Sequence, residues 1–502
     1  MRLLHGGGEQ PELMAASPKL TILPAEKIAA ISENVKTEPL LSEARLSSED
    51  YLDYRRLNDP ETAIQHKTDM FLKVNRIAEA VLASGDVPEE EVAWAKTASL
   101  DFIEKAFTEY TGEREPESDT SFVFAVPTRV MRNFNPFSFH GADYRSEVAP
   151  FLPLANYVDA AVVQKLSVGL PPCVIEEYMP NENKQSGKVV FVPIFGDMIF
   201  DLVENEDYAK AMVESRKISR KIITDAADFV RERLGAEVMG LGAIIPALTK
   251  FGTTIDQSYV PTQQRLETTT GHGGTVHLIA ETVRKVMEEA DINSGDAIGV
   301  VGAAGSIGSS TVATLLDQFD KDVVMSDIPV KQDRLQKMIE QYAEEGERLH
   351  IAVDNLDVIR RSNIMVSAIT ERIDLDQIDP EGALDLTGKV FVDDSQPGCF
   401  DRQQVESRGG YLLWVAGHDP RGRVTRKNGY TFGTEEGLVG DSNWGCELEA
   451  AVIAATGRTD LTLDHAVTPE DVKAIGGLMR DYGIKPGPFQ SFGKLVHIPR
   501  KH

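Results

Sequence analysis

Cysteine is scarce: the 502 residues contain three, Cys173, Cys399 and Cys446. Three thiols cannot build a disulfide framework, and their spacing matches no metal-ligand pattern, so no metal site is expected. The pattern suits a reducing, cytoplasmic compartment. Positive charge is also short. Lys and Arg number 52 against 79 Asp and Glu, a formal charge of −27 with a pI near 4.8. That balance argues against a nucleic-acid or general membrane-surface binder, and any anionic ligand would need a local basic patch. Long apolar runs are missing as well. None reaches the length of a membrane span, so no stable membrane insertion is expected. Arg2-Leu3-Leu4 running into Gly6–Gly8 does not read as a signal peptide. Internal repeats and low-complexity blocks are absent too. What remains is an ordinary globular composition, 42% hydrophobic and 26% charged, at a length that suits two or three domains.

The most informative stretch is Asp296–Gly308, D-A-I-G-V-V-G-A-A-G-S-I-G. A β-branched run, Ile298–Val301, leads into Gly302-x-x-Gly305-x-x-Gly308, and helical spacing follows over Ser309–Phe319. Strand, glycine turn and helix form the nucleotide-binding corner of a doubly wound sheet. There the glycines admit a pyrophosphate and the helix N-terminus presents N–H groups to it. The turn predicts cofactor contacts from Gly302, Ala303, Gly305, Ser306, Ile307 and Gly308. No Lys-Ser or Lys-Thr pair follows the last glycine, which excludes a P-loop. Alternation continues with strands at Val323–Asp327, Leu349–Val353, Ile364–Ala368, Val390–Asp393 and Tyr411–Val415 and a helix at Arg334–Glu344. The expected fold class is therefore α/β, a Rossmann-type parallel sheet with helices on both faces, plus a smaller α/β domain and an N-terminal helical extension. Asp327 ends the second strand, 25 positions after Gly302. An acid there accepts hydrogen bonds from ribose hydroxyls and repels a 2′-phosphate, so NADH is expected over NADPH. The bland alternative is that Asp327 caps its own turn.

Ahead of this unit, residues 1–20 read as a loose tail and Pro24 to about Tyr110 as helical. Stripes run through Ile28, Ile31 and Val35, through Phe71, Val74, Ala78 and Val81, and through Leu100, Ile103 and Phe107. Glu113–Asp119 reads as a charged linker. Strand-like runs lie at Phe122–Val126 and Lys188–Pro193, and an amphipathic helix covers about Ala209–Leu234. Arg216, Lys217, Arg220 and Lys221 fill one arc of that helix and Ile218, Ile222, Ala226 and Phe229 the opposite one. The basic arc is either a solvated face or a landing site for an anionic carrier. A polar turn, Thr268-Thr269-Thr270-Gly271-His272-Gly273-Gly274, precedes a helix from Thr275 to about Ala290.

Cys446 opens a helix that runs to Gly457. The positive end of the helix dipole lowers a thiol pKa there, whereas Glu447 and Glu449 raise it. Cys446, Ala450 and Ile453 share one stripe, so local sequence by itself favours a packed, inert cysteine. Cys399 reads as a loop thiol after a strand, near the nicotinamide end or merely nearby, and Cys173 as structural.

Taken together, these stretches resemble the cyanobacterial-type long-chain acyl-[acyl-carrier-protein] reductases, which form fatty aldehydes. The likeness runs from about Phe122 to Pro486. It includes the Lys188–Pro193 strand and the basic helix after it, Leu241-Gly242, Thr269-Thr270-Gly271, the glycine turn, and Asp393 with Pro397. It ends in Cys446-x-x-Glu449 and Val467-Thr468-x-Glu470-x-x-x-Ala474-Ile475-Gly476. The resemblance implies that Cys446 accepts the acyl chain as a thioester. It also implies that Thr270, Gly271 and Ala368 sit by the cofactor, and that Arg216, Lys217, Arg220 and Lys221 meet an acyl-carrier protein or acyl-CoA. The chain departs from the family at His272 and at Gly273-Gly274, at Gly398, at Ser326-Asp327 and in the helices before residue 120. NADPH therefore stays open as the cofactor. His272 is a secondary expectation as proton donor.

The implied division is a tail (1–20), a helical extension (21–118), an α/β acyl- and carrier-binding domain (119–265), a Rossmann domain (266–440) and a C-terminal helical segment carrying the nucleophile (441–502). Two other classes stay open: a dehydrogenase of a small hydroxy or oxo acid with no covalent intermediate, and a non-catalytic NAD-binding sensor. A glutamyl-tRNA-reductase-like enzyme shares the chemistry, but the charge of −27 argues against tRNA. Chain length, carrier identity and any homo-oligomer are not legible in the sequence.

Overall fold

The computed structural model describes residues 21–36, 60–112, 120–128, 148, 151–167, 169–179, 186–194, 208–291, 297–342, 346–369, 372–395, 398–424 and 438–499. The expected tail, the charged linker and Pro397 lie outside them.

Three helices open the described chain: α1 (Ala25–Lys36), α2 (Pro60–Ser84) and α3 (Glu89–Thr111). Their apolar stripes are buried as the spacing predicts, with Ile31, Val35, Val74, Val81 and Ile103 at 1% exposure or less. Two buried hydroxyls tie them to the rest. Tyr110 donates to Asp225 at 2.7 Å and Tyr157 to Glu91 at 2.6 Å.

The first sheet comprises β1 (Thr120–Val126), β2 (Cys173–Glu177), β3 (Ser186–Phe191), β4 (Val238–Leu241) and β5 (Glu267–Thr269). Their spatial order is β2-β3-β1-β4-β5, parallel except for the β2–β3 pair. Helix α4 (Ala160–Ser167) precedes β2, and the long α5 (Tyr208–Glu232) carries the chain from β3 to β4. Ile218, Ile222, Ala226 and Phe229 of α5 are buried, as predicted from its wheel.

Helix α6 (His272–Glu289) leads into the second sheet. This sheet comprises β6 (Ala297–Val301), β7 (Asp322–Ser326), β8 (Leu349–Ile351), β9 (Ile364–Ser367), β10 (Val390–Asp393) and β11 (Tyr411–Trp414). All neighbours are parallel, in the order β8-β7-β6-β9-β10-β11. That is the doubly wound Rossmann order, in which the strand direction of travel reverses between β6 and β9 and opens a crevice at their carboxyl ends. Helices α7 (Ser306–Gln318), α8 (Gln332–Gln341), α9 (Asn355–Arg361) and α10 (Arg402–Ser407) connect or follow these strands. The strands read as unbroken apolar runs because both faces are covered: Val300, Val323, Ile364, Val366, Val390 and Val392 are all at 0% exposure. Three helix starts differ from expectation. α7 begins at Ser306 rather than Ser309, α6 at His272 rather than Thr275, and α8 at Gln332 rather than Arg334.

The C-terminal segment returns across both sheets. A small antiparallel sheet, β12 (Gly417–His418), β13 (Ser442–Asn443) and β14 (Lys485–Pro486), brackets α11 (Gly445–Thr456) and α12 (Pro469–Tyr482). α12 starts in a reciprocal cap between Thr468 and Asp471 and ends at left-handed Gly483. α11 lies against β1, β4, α6 and α12, so the helix carrying Cys446 is built into the first sheet's core. No described helix is long and apolar enough to cross a membrane.

Candidate active site

Two helix N-termini meet at the junction of the sheets, and glycines let them meet. A Cβ on Gly271, whose φ is +71°, would lie 2.3 Å from the Cys446 Cβ, and one on Gly274 would lie 2.4 Å from the Gly445 carbonyl. A Cβ on Gly445 would fall 2.7 Å from the Thr275 Cα. The first turns of α6 and α11 thus touch backbone to backbone, and Cys446 sits in the contact, half-buried. It borders both hydrophobic cores, one that runs from the first sheet onto one face of the Rossmann sheet and one on that sheet's other face.

Glu449, one turn beyond Cys446 and fully buried, faces back into this contact. Its Oε1 accepts from the Thr269 hydroxyl and from the Gly271 amide at 3.2 Å, and its Oε2 from the Gly274 amide at 2.6 Å. At the start of helix α6 the His272 amide donates to the Thr270 hydroxyl at 3.3 Å, and the Gly274 amide is satisfied from a helix 175 residues on. Burial pushes the Glu449 carboxyl up to about 7 against the pull of these hydrogen bonds.

The thiol of Cys446 is also pushed up, first by burial and then by Glu447, Asp394 and Glu449. The Glu447 amide, donating toward the sulfur, works in the other direction and is outweighed. Of the two opposing pulls read from the sequence, the acidic neighbours, with burial, outweigh the helix dipole. Asp394, just past β10, is itself held toward the neutral acid by burial and by Asp393. His272 is 7% exposed, and burial alone takes it down to about 4. Its imidazole is neutral and offers an N–H rather than an acidic proton. The Phe251 ring meets it edge-on at 6.2 Å. Ala243, Lys250 and Phe251, all non-glycine, have positive φ in the loop that places that ring, local strain of the kind that clusters at functional sites.

The glycine turn has the form expected of a phosphate cradle. Gly302 has φ +81°, and a Cβ there would lie 2.7 Å from the Ala368 carbonyl; one on Gly308 would lie 2.0 Å from the Gly302 carbonyl. Gly305 precedes α7, whose opening residues Ser306, Ile307 and Gly308 carry first-turn amides with no acceptor inside the helix. Ala303 donates its amide to Ser326 at 3.1 Å. Asp327 is turned into the cradle: its side chain is 3% exposed, accepts from the Ala304 amide at 2.8 Å and the Ile328 amide at 2.8 Å, and pairs with Lys331 at 3.1 Å. It both caps its own turn and braces the glycine turn. Ile328, Val330 and Val353, 44%, 84% and 87% exposed, form an apolar rim beyond the carboxyl ends of β7 and β8.

On α5, Arg216 and Lys217 are exposed and Lys221 is half-buried, while Arg220 donates to the Leu248 carbonyl at 3.3 Å. Cys399 is buried, its amide donating to Asp393 at 2.9 Å, and belongs to the Rossmann core; Cys173 is buried at the start of β2 in the first sheet. The reading from sequence missed Asp394 and the partners of Glu449. For Asp394 the signal was present, a second acid at the end of a core strand. For Glu449 nothing local pointed to its partners.

No protein-family model and no curated protein matches the chain. Among solved structures, it is similar to a reductive aminase from Aspergillus terreus in complex with NADPH4, cyclohexanone and allyl amine, at 13% identity and a TM-score of 0.18 over 25% of this chain. The match spans 43% of that protein, less than half its length. An imine reductase from Pseudomonas sp. is similar at 16% identity and a TM-score of 0.20, over 37% of this chain and 73% of that one. The L-tryptophan dehydrogenase from Nostoc punctiforme is similar at 10% identity and a TM-score of 0.25, over 72% of this chain and 88% of that one.

Proposed function

We propose that this protein is a nicotinamide-dependent oxidoreductase that reduces a fatty acyl thioester to an aldehyde through an acyl-enzyme on Cys446. The observation that carries the reading is the position of Cys446. It lies at the head of α11, against the head of α6, on the border between the first sheet and the Rossmann lobe. The resemblance to long-chain acyl-[acyl-carrier-protein] reductases supplies the substrate class, and the basic face of α5 supplies a phosphate-binding surface on an otherwise acidic protein. Acyl-carrier protein and coenzyme A both present a phosphopantetheine thioester, so both are candidate donors.

The Cys446 sulfur attacks the thioester carbonyl, the new carbon–sulfur bond replaces the old one, and the Cys446 proton leaves with the carrier thiol. No external base is needed for that balance, which suits a thiol whose surroundings keep it protonated. The negative charge that builds on the carbonyl oxygen needs donors. Two sets of backbone amides lie near the sulfur, those of the Thr270–Gly274 turn and those of the α11 start; Glu449 already occupies the Gly271 and Gly274 amides, so the turn is largely spent. The first-turn amides of Gly445 and Cys446 have no acceptor within α11 and are the better assignment; losing one such donor typically costs about 10²–10³ in rate.

The cradle of Gly302, Ala303, Gly305, Ser306, Ile307 and Gly308 fits a dinucleotide pyrophosphate, with Ile328, Val330 and Val353 beside the adenosine end. The cofactor held there supplies the hydride that takes the acyl group to the aldehyde. Asp327 favours NADH by its charge, and Lys331 offsets that charge, so the sequence-level preference for NADH over NADPH becomes a matter for titration.

Incubation with a labelled long-chain acyl-CoA or acyl-carrier protein, without cofactor, is expected to leave one covalent label on Cys446. Cys446→Ala is expected to remove both the label and aldehyde formation. Label that persists in the variant, or hydride transfer to any oxo acid that survives it, refutes the reading in favour of a non-covalent dehydrogenase.

A further inference from the structure

The turn at Thr269–Gly274 carries almost no side chain beside Cys446, because Gly271, Gly273 and Gly274 make the close approach. One side chain from the nucleophile's own helix reaches both ends of that turn. We infer that Glu449 is the positioning residue of this site, pinning the turn to the Cys446 helix as a carboxylate and loosening it when protonated.

Every partner of the Glu449 oxygens is a donor. The Leu463 amide donates to the Thr269 hydroxyl oxygen at 3.1 Å, which leaves that hydroxyl's proton to point at Oε1. The amides of Gly271 and Gly274 can only donate. A carboxylate satisfies all three with charge-assisted bonds. A proton on Oε1 reverses the Thr269 bond and strips the charge assistance from both glycine amides. A proton on Oε2 opposes the Gly274 amide directly. A glutamine fares no better, since its NH₂ must face at least one of these donors.

Among the described residues, the groups packed around Glu449 bring no compensating cation. Leu463 from the segment before α12 and Ile475 from α12 itself are apolar where they close over Gly273. His272 on α6 is neutral, and the titratable neighbours on α11 are Cys446 and Glu447. Burial without a cation brings the carboxyl to about 7, so it changes state near neutrality rather than far below it.

Hydrogen exchange of the full-length protein, followed by mass spectrometry on peptides covering residues 266–278, tests this. After correction for intrinsic rates, the Gly271 and Gly274 amides are expected to be at least tenfold more protected at pH 8 than at pH 6. Glu449→Gln is expected to show the lower protection at both values, with unchanged circular dichroism. Equal protection at both pH values in the wild type, or wild-type protection in Glu449→Gln, overturns the assignment. If the variant does not fold, the wild-type series decides by itself. The inference builds on Cys446 as the reacting group, but the readout needs neither acyl donor nor cofactor, so it succeeds or fails independently of the acyl-transfer reading.

Discussion

Replacing Gly271 by alanine separates two effects that the structure places on one residue. The first is backbone: φ is +71°, and an L-residue in the left-handed region costs about 1–2 kcal/mol. The second is the close approach: the new Cβ would lie 2.3 Å from the Cys446 Cβ and 2.6 Å from its Cα, so a helix start must move. Overpacking of this kind costs a further ~1–3 kcal/mol. Gly457→Ala is the matched control. Gly457 ends the same helix as Cys446 with φ +65°, and a Cβ there would have nothing within 4 Å. It carries the backbone penalty and no clash. At about 2–4 °C per kcal/mol, Gly271→Ala is expected to melt some 2–12 °C below Gly457→Ala. Because Cys446 itself must shift, covalent labelling by an acyl thioester is expected to fall about 10²-fold in Gly271→Ala and to stay unchanged in Gly457→Ala. Thermal unfolding and a labelling time course read the two effects separately. Equal melting temperatures with equal labelling would show that the two helix starts are not in contact, and the site built on that contact would go with it.

Asp394 and the cofactor loop give two more tests. Asp394→Asn exchanges a carboxyl held toward its neutral form for a neutral amide, so iodoacetamide alkylation of Cys446 at pH 8 is expected to stay unchanged; a rise of about tenfold, one unit of thiol pKa, would show that Asp394 carries charge beside the sulfur. Lys331→Ala is expected to weaken NADPH more than NADH, and Asp327→Ala to do the reverse. The difference should be about 10–100-fold, as for a hydrogen bond to a charged group; calorimetric titration giving equal changes for both cofactors would discard the discrimination.

The strands of the Rossmann sheet were legible because both of their faces are covered, and a run such as Val323-Val324-Met325 then has no polar alternation to confuse it. The starts of α6 and α7 were not legible. Gly273 and Gly274 read as loop by propensity, yet they are helical, with a carboxylate from α11 accepting the Gly274 amide, and that partner is invisible at the range of local sequence. Gly308 likewise reads as the end of a turn and lies inside α7, since only a glycine passes the Gly302 carbonyl so closely. The same holds for Ala-Ile-Gly at the end of the family resemblance. A Cβ on Gly476 would lie 2.4 Å from the His277 imidazole, so that glycine serves a contact between α12 and α6. The positions of Cys446 and Glu449 and the polar turn far upstream were each visible; the contact between them was not.

The charge state of the site follows from these same contacts and bears on how an acyl thioester would react there. Cys446 is held as a thiol, His272 as a neutral imidazole and Asp394 toward the neutral acid, each chiefly by burial. Glu449 is poised to change charge near neutrality; its oxygens bond the Thr269 hydroxyl and two glycine amides, and its charge, like that of Glu447, raises the thiol rather than activating it. An apolar acyl chain can therefore approach without displacing a solvated ion pair, a step that would cost several kcal/mol per buried ion. The price is a poor resting nucleophile. The sulfur has to lose its proton as it attacks, and the departing carrier thiolate is the acceptor that balances the step. Such a site should discriminate by leaving group: thioesters, whose thiolate takes the proton, react at Cys446, and oxygen esters of the same chain do not. Labelling of Cys446 by an oxygen ester at the rate of the matched thioester would mean that the proton leaves by another route and that a base acts on Cys446 after all.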